Sequence, residues 1–591
     1  DYVDPEFGTG ALKITPGHDP NDFEIGRAHG LEEIVVIGED GRMTDEAGER
    51  FAGMTVVEAR EAVVEALRDQ GSLRAEEPYV HSVPFSHRSG ERIEPLISLQ
   101  WFCAMDDLAE PAIRAVVDGE VRIVPDTYGR VYLDWMRNIR PWCVSRQLWW
   151  GHRLPVWYCD ACEETIVAET PPDHCGACDG PLRRDEDVLD TWFSSALWPF
   201  AVLGWPDSTP ELESFYPTNV LVTAREIIFL WVARMVMMGI EFTGRVPFRD
   251  VCINSVIQAP DGRRMSKSLG TGIDPIDEIE RFGADALRFG LLATSSTQDV
   301  RYSPAKVQQG LDLANKLWNA SRLILLNAPE VEPAPIRLQV EDRWILSRFQ
   351  SAIEVITGHL DGYDFAHAAL DLYGFFWSEL CDWYLEIAKP RLIAGEPEAG
   401  ATLLWILEQT LALAHPLMPF VTEEIYSYLE AAGAGGPEMM VIHPFPTVDS
   451  ELIDPDAERQ VEGWIGLTRR IRRWRSLVGV PAGSILSARI ADGDPAPHEL
   501  VGRLARLSFE GADGDPVAGF GAVEVLATNE LDVDQVARRI SERAELLGSE
   551  IRRAEDKLSN QGFVSNAPSV VVEAEREKLA AHRAELEELD G

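Results

Sequence analysis

The sequence predicts an α/β portion followed by an all-α portion, closed by a small α/β module and a helical hairpin. Three observations carry this expectation. Strand-like and helix-like stretches alternate from residue 119 to about 300, the pattern of a doubly wound α/β domain. From Pro304 to Ser476 long amphipathic segments run without a convincing strand, which predicts a helix bundle. Near the end, Ile540, Ala544, Leu547, Ile551, Ala554 and Leu558 are spaced as the seam of a coiled coil.

The elements follow in order. Within residues 1–118, Val56, Val57, Ala59, Val63, Val64 and Leu67 make a broad apolar helical face, and Glu33 to Ile37 has the β-branched content of a covered strand. In residues 119–303, Ile227 to Ile240 is apolar but short and interrupted by Arg234, so it predicts a buried helix and no membrane span. Val251 to Ile257 reads as a strand, after which Asp274 as N-cap and Pro275 as first helical residue open a helix running past Phe282 to Leu292. Asp312 to Leu326 and Glu341 to Ile356 are amphipathic helices of the bundle, residues 304–478. Residues 479–531 regain strand-like runs with Gly, Asp and Pro punctuation. In residues 532–591 a second apolar series, Val572, Leu579, His582, Leu586 and Leu589, follows the breaker stretch Ser559 to Ser569 and returns antiparallel to the first.

The chain has 591 residues, 54 Lys+Arg against 98 Asp+Glu, and a formal charge of −44. That balance excludes a histone-like binder and leaves nucleic-acid contact to local basic patches. The opening DYVDPEFGTG has no basic stretch ahead of an apolar core, so no export signal is expected there. Eight cysteines, four clustered and four scattered among apolar neighbours, predict a reducing, cytoplasmic setting and no disulfide scaffold.

Three patterns carry chemistry. Cys159, Cys162, Cys175 and Cys178 form two CxxC knuckles within residues 157–185, the four soft ligands of a structural Zn²⁺ with no open position; unconnected surface thiols are the alternative. The loop 263–270 holds Arg264, Met265, Ser266, Lys267 and Ser268 after a strand, where a basic, hydroxyl-rich turn can fold over polyphosphate; an ordinary solvated turn is the alternative. Arg469, Arg470, Arg472, Arg473 and Arg475 surround Trp474, as either a stripe for RNA phosphates or a helix face making ion pairs.

Arg264 to Ser268 resembles the KMSKS signature of class I aminoacyl-tRNA synthetases, with Arg264 where Lys is common. Four further strings resemble the valyl-tRNA synthetase branch: Arg146 to His152, Asp190 to Pro199, Ile227 to Met235, and Phe376 through Leu385. So does Lys557-Leu558-Ser559-Asn560 with Phe563, Ala567 and Pro568. The resemblance implies the second half of a Rossmann-like catalytic domain, part of an editing domain, an anticodon-binding bundle and a coiled-coil tRNA-binding arm. It also implies ATP, Mg²⁺, valine and tRNA(Val) as reaction partners, with a monomer expected. Lys267 is then the group that follows departing pyrophosphate. Asp190 and the rings of Trp150 and Trp192 belong to the amino-acid pocket, core packing being the alternative for each ring.

Gly8 to Phe23 is similar to an editing-site strand and loop. By that likeness Lys13 and Thr15 line a hydrolytic pocket, while Asp19 and Asp22 hold the substrate and its ammonium group. His18 is either a proton carrier or a structural histidine. Editing is needed because an apolar pocket cannot strongly reject an isostere that adds only a hydroxyl, as threonine does to valine.

Class I enzymes also use a His-x-Gly-His motif, and no two of the 12 histidines here lie three apart. The expectation is therefore a C-terminal portion, inactive by itself in amino-acid activation. Two alternatives are an isoleucyl-tRNA synthetase portion and a non-catalytic tRNA-binding fragment.

Overall fold

The computed structural model describes residues 10–86, 89–266, 270–295, 298–328, 331–431, 437–491, 495–510, 514–528, 531 and 533–590. The chain divides into two compact units, the first spanning Asp1–Val121, Val131–Thr218 and Ile228–Arg249, the second Arg122–Arg130, Asn219–Ile227 and Asp250–Gly591.

In the first unit, local chemistry sets the early helices. Asp19 caps the Pro20–His29 helix, which stops at Gly30 with φ 65°. Thr55 and Glu58 form a reciprocal capping box at the start of Val56–Asp69. Glu33 to Ile37 is not the expected covered strand: Ile37 makes a single bridge to Met43, and Ile34 is 47% exposed. Side chains satisfy much of its backbone, His18 taking the N–H groups of Val36 and Ile37 and the Thr44 hydroxyl donating to the Val35 carbonyl, while the Val36 carbonyl accepts the Thr44 N–H. Further on, the Asp106–Val117 helix packs on Ala233–Thr243, and Ala109, Ala112, Val236 and Met237 of these two helices are buried. The apolar run ahead of Ala233 enters this helix through wide, π-helical turns at Ile228–Val232, so it is buried helix as expected. A three-stranded antiparallel sheet places Val156–Cys159 between Thr165–Val167 and Leu182–Arg184.

A sheet in the order Arg122–Val124, Phe248–Asn254, Thr218–Ala224, its first two strands parallel, falls mainly in the second unit. The strand expected at Val251 to Ile257 begins three residues earlier and ends at Asn254, and Ile257–Gln258 forms a separate parallel ladder with Val300–Arg301. The helix expected to run from Pro275 to Leu292 is two helices, Pro275–Phe282 and Ala284–Leu292. Gly283 separates them at φ 88°, a backbone state that other residues adopt only under strain.

Helices then dominate, from Pro304–Asn327 and Val340–Asp361 to Pro419–Ala431. Between them Phe365–Tyr373 continues through the π-helical stretch Gly374–Tyr384 into Leu385–Ile393. Leu313, Ile345, Phe349, Phe376, Leu407 and Leu411 lie in one contiguous core. One charged network lies beside it. Buried Asp342 accepts from the Tyr384 hydroxyl at 2.8 Å and from Arg391, which also pairs with Glu341 and Glu396. The module after Pro455–Val478 has a four-stranded sheet in the order Leu507–Ser508, Leu486–Ile490, Val523–Leu526, Pro516–Phe520. Val533–Ser559 and Ser569–Asp590 lie side by side in opposite directions, tied by Arg543–Glu585 and Lys557–Glu575 pairs at 2.8 Å. The architecture is thus mixed α/β with many helices. No described helix is long and apolar enough to cross a membrane.

Candidate functional site

Asp190 stands at the wall of a cavity of about 510 Å³ in the first unit, lined in part by Trp135, Trp142, Arg146, Trp192 and Arg234. The strand Val188–Leu189 delivers it, pairing antiparallel with Ser145–Arg146. Its N–H donates to the Val144 carbonyl at 2.7 Å, which anchors the backbone. One carboxylate oxygen accepts the Trp192 N–H at 3.1 Å and starts the Thr191–Ala196 helix. The other accepts from Arg146 at 2.6 Å and from the Trp142 indole at 3.0 Å. Arg234 covers the Trp142 ring, 4.0 Å from its centroid. Burial lowers the Arg234 pKa, and the nearby Asp190 charge opposes that shift. The cavity therefore combines indole walls with a carboxylate and the guanidinium groups of Arg146 and Arg234, and Arg140 also lines it.

This arrangement brings Asp190 and Trp192 together and leaves Trp150 out, its side chain 92% exposed. The sequence reading assigned no role to Trp142, Arg146 or Arg234. Arg146 and Arg234 sat inside the quoted strings, but their convergence depends on a strand pairing and a helix packing that spacing does not display.

The opening segment has its own geometry. The Lys13 ammonium donates to the Thr15 hydroxyl, and the Thr15 N–H donates to Asp22 at 2.7 Å. Asp19 accepts the N–H groups of Asn21 and Asp22 at 2.9 and 3.0 Å, so its carboxylate is the helix cap. His18 joins three stretches of chain: Nε2 accepts from Val36 at 2.8 Å and from Ile37 at 3.1 Å, and Nδ1 lies 3.0 Å from the Pro95 carbonyl. Two donors on Nε2 require the proton on Nδ1, where it is donated to Pro95. Carrying a proton on Nε2 would break both backbone bonds, so the geometry favours the structural role for His18.

The four clustered cysteines converge. Cys159 and Cys178 sulfurs are 3.4 Å apart, Cys162 and Cys175 sulfurs 3.6 Å. Tetrahedral zinc with bonds of about 2.3 Å places sulfurs roughly 3.8 Å apart, so the set fits the ion. Each knuckle closes in the same way. Glu163 at φ 60° donates its N–H to the Cys159 carbonyl, and Asp179 at φ 62° donates to that of Cys175. Gly180 leaves room: a Cβ there would sit 3.1 Å from the Cys178 sulfur and 3.2 Å from that of Cys159. The Ala161 N–H, chief among several donors, brings the Cys159 thiol down to about 7. His174 instead pairs with Asp179 at 3.2 Å.

In the second unit, Arg264 bridges to Gln258, and Thr271 closes the base of the loop. Its hydroxyl donates to the Arg264 carbonyl at 2.9 Å and accepts the Ser266 N–H at 3.0 Å. Met265 follows Arg264 along this stem, while Lys267 and Ser268 lie outside the described residues.

The arginine series divides sharply. Arg475 is buried, donating to the carbonyls of Ser484 at 2.6 Å and Arg506 at 3.1 Å. Arg472 donates to the Leu504 carbonyl and, with Arg469, lies over the Trp383 ring. Arg473 pairs with Glu585. Arg470 lines a cavity of about 800 Å³ with Arg473, Trp474, Phe520 and Arg543. Much of the stripe is thus engaged within the fold.

Comparison with known proteins adds independent findings. Residues 51–303 match the class I tRNA synthetases for isoleucine, leucine, methionine and valine, and residues 342–490 match the anticodon-binding domain of tRNA ligases. Residues 532–591 match the valyl tRNA synthetase tRNA binding arm. A valine--tRNA ligase of Carboxydothermus hydrogenoformans is 43% identical over all of this chain and 69% of its own length. Those of Clostridium acetobutylicum and Thermotoga maritima are each 42% identical, again over all of this chain and 69% of theirs. The isoleucyl alternative is not favoured by these matches. With such identity along its whole length, the chain belongs to the valine--tRNA ligase family of class I aminoacyl-tRNA ligases.

Proposed function

We propose that this chain carries the second half of a Rossmann-like valine-activating domain together with the parts that hold tRNA(Val). The single observation behind this reading is the succession, in one chain, of class I, anticodon-binding and valyl-type arm segments. In the reaction the valine carboxylate attacks the α-phosphate of ATP, pyrophosphate leaves, and valine passes from the adenylate to the terminal ribose of the tRNA. Mg²⁺ supplies charge neutralisation at the phosphates. Lys267 stabilises the charge that develops on pyrophosphate, with Arg264, Met265, Ser266 and Ser268 shaping the loop.

Asp190 has two tasks in this reading. It positions Arg146 and Trp142 around the pocket, and it starts the helix that presents Trp192 to a small apolar side chain. Lys13, Thr15 and Asp22, linked by hydrogen bonds, form one wall of the editing pocket, where a carboxylate suits an ammonium group and a hydroxyl suits threonine. Cys159, Cys162, Cys175 and Cys178 hold Zn²⁺, which acts structurally because no ligand position stays open. The residue 532–591 hairpin is a coiled-coil arm for tRNA, and Arg470 with Arg473 adds phosphate contact beside it. A second reading, tRNA binding without activation, is favoured by one observation: no two of the 12 histidines stand three apart.

Valine-dependent pyrophosphate exchange and filter binding of tRNA(Val) on one preparation test both readings. The first expects a full-length protein containing this chain to catalyse exchange, which falls by about 100-fold or more in Lys267→Ala with unchanged circular dichroism. Retained tRNA with no exchange selects the second. Exchange supported by isoleucine but not valine, or no preference for tRNA(Val), overturns both.

A further inference from the structure

The Val340–Asp361 helix and the Phe365–Tyr373 helix are joined by a tightly specified turn. The Asp364 N–H donates to the His359 carbonyl at 2.8 Å, and Tyr363 takes φ 60°. The Tyr363 hydroxyl donates to Asp250 at 2.8 Å, which pins the turn. His359 on the first helix consequently stacks on His367 of the second, ring centroids 5.3 Å apart and planes 26° from parallel. Each imidazole also meets a carboxylate: His367 Nδ1 is 2.6 Å from Asp364, and His359 Nε2 is 3.2 Å from Asp371.

One ligand atom from each of His359, Asp364 and His367 lies within 4.8 Å of the others. A tetrahedral ion with bonds of about 2.0–2.1 Å sets its ligand atoms roughly 3.4 Å apart, so small side-chain rotations close the site. Asp371, one turn beyond His367 on the same helix face, lies 3.2 Å from His359 Nε2 and is the candidate for a fourth oxygen. Two imidazoles with carboxylates suit zinc, nickel or cobalt, whereas calcium and magnesium demand oxygen ligands throughout. The His367 side chain is 64% exposed and that of His359 32%, which leaves an entry path.

We propose that His359, Asp364, His367 and Asp371 form a second divalent transition-metal site, of the zinc type, which staples the end of one bundle helix to the start of the next. The site is separate from the four-cysteine cluster and does not rest on the ligase reading.

The test titrates ZnCl₂ into the full chain, with uptake read by a competing chromophoric chelator and metal content counted by mass spectrometry. Wild type takes up one more equivalent than His359→Gln or His367→Gln. Zinc raises the unfolding temperature of wild type more than that of either variant. As a check that needs no variant, zinc protects His359 and His367 from diethyl pyrocarbonate. Equal uptake by wild type and the histidine variants, or unprotected histidines at saturating zinc, overturns the proposal.

Discussion

Gly180 shows how one residue governs a site through the atom it lacks. Its missing Cβ keeps the Cys178 and Cys159 sulfurs clear of a contact near 3.1 and 3.2 Å. Gly180→Ala is expected to weaken zinc at the four cysteines by about 10–100-fold while leaving the surrounding sheet folded. Competition with a chromophoric chelator measures this, and an unchanged affinity would show that the knuckle yields freely. The thiol spacing was legible in sequence because a CxxC turn is local. The role of Gly180 was not, because the clash involves Cys159, twenty-one residues away in the chain. His18 makes the same point. Its chemistry is read from type, but Val36, Ile37 and Pro95 decide which nitrogen holds the proton.

At the scale of elements, a close helix contact offers the sharpest test. Ala284–Leu292 lies on Pro304–Asn327 so tightly that a Cβ at Gly310 would come 2.6 Å from the Ala286 carbonyl oxygen. Gly310→Ala is expected to cost about 1–3 kcal/mol, read by urea unfolding, even though alanine is the better helix former. A neutral or stabilising result would mean that the helices separate at little cost. Periodicity located the helix over Val56–Asp69 well, since its capping box and apolar face lie within one stretch. It failed at Gly283, where an apolar pattern ran on across a turn that the backbone makes at positive φ. It also failed at Glu33 to Ile37, which makes a single bridge to Met43 and finds side-chain partners in His18 and Thr44 rather than joining a covered sheet.

Across the whole molecule the formal charge of −44 dominates. Like charges oppose compaction and repel nucleic acid, so salt acts on the two properties in opposite directions. Raising NaCl from about 50 mM to about 500 mM should raise the unfolding temperature by a few degrees while weakening tRNA binding by at least tenfold. Calorimetry and filter binding report the two effects. A lower unfolding temperature in high salt, or tRNA affinity indifferent to salt, would show that local ion pairs outweigh the net field.

The sequence by itself determined the family, the mixed α/β and helical character, and the cysteine knuckles, because each is written in short-range spacing or in strings of adjacent residues. Only the tertiary structure decided which groups meet. It sent the buried Arg475 to backbone carbonyls, gathered Trp142, Arg146 and Arg234 around Asp190, and stacked His359 on His367. The physical reason is that a side chain's partner is chosen by the folding of distant segments onto one another, and hydrogen bonds and ion pairs act over a few ångströms of space whatever the separation along the chain.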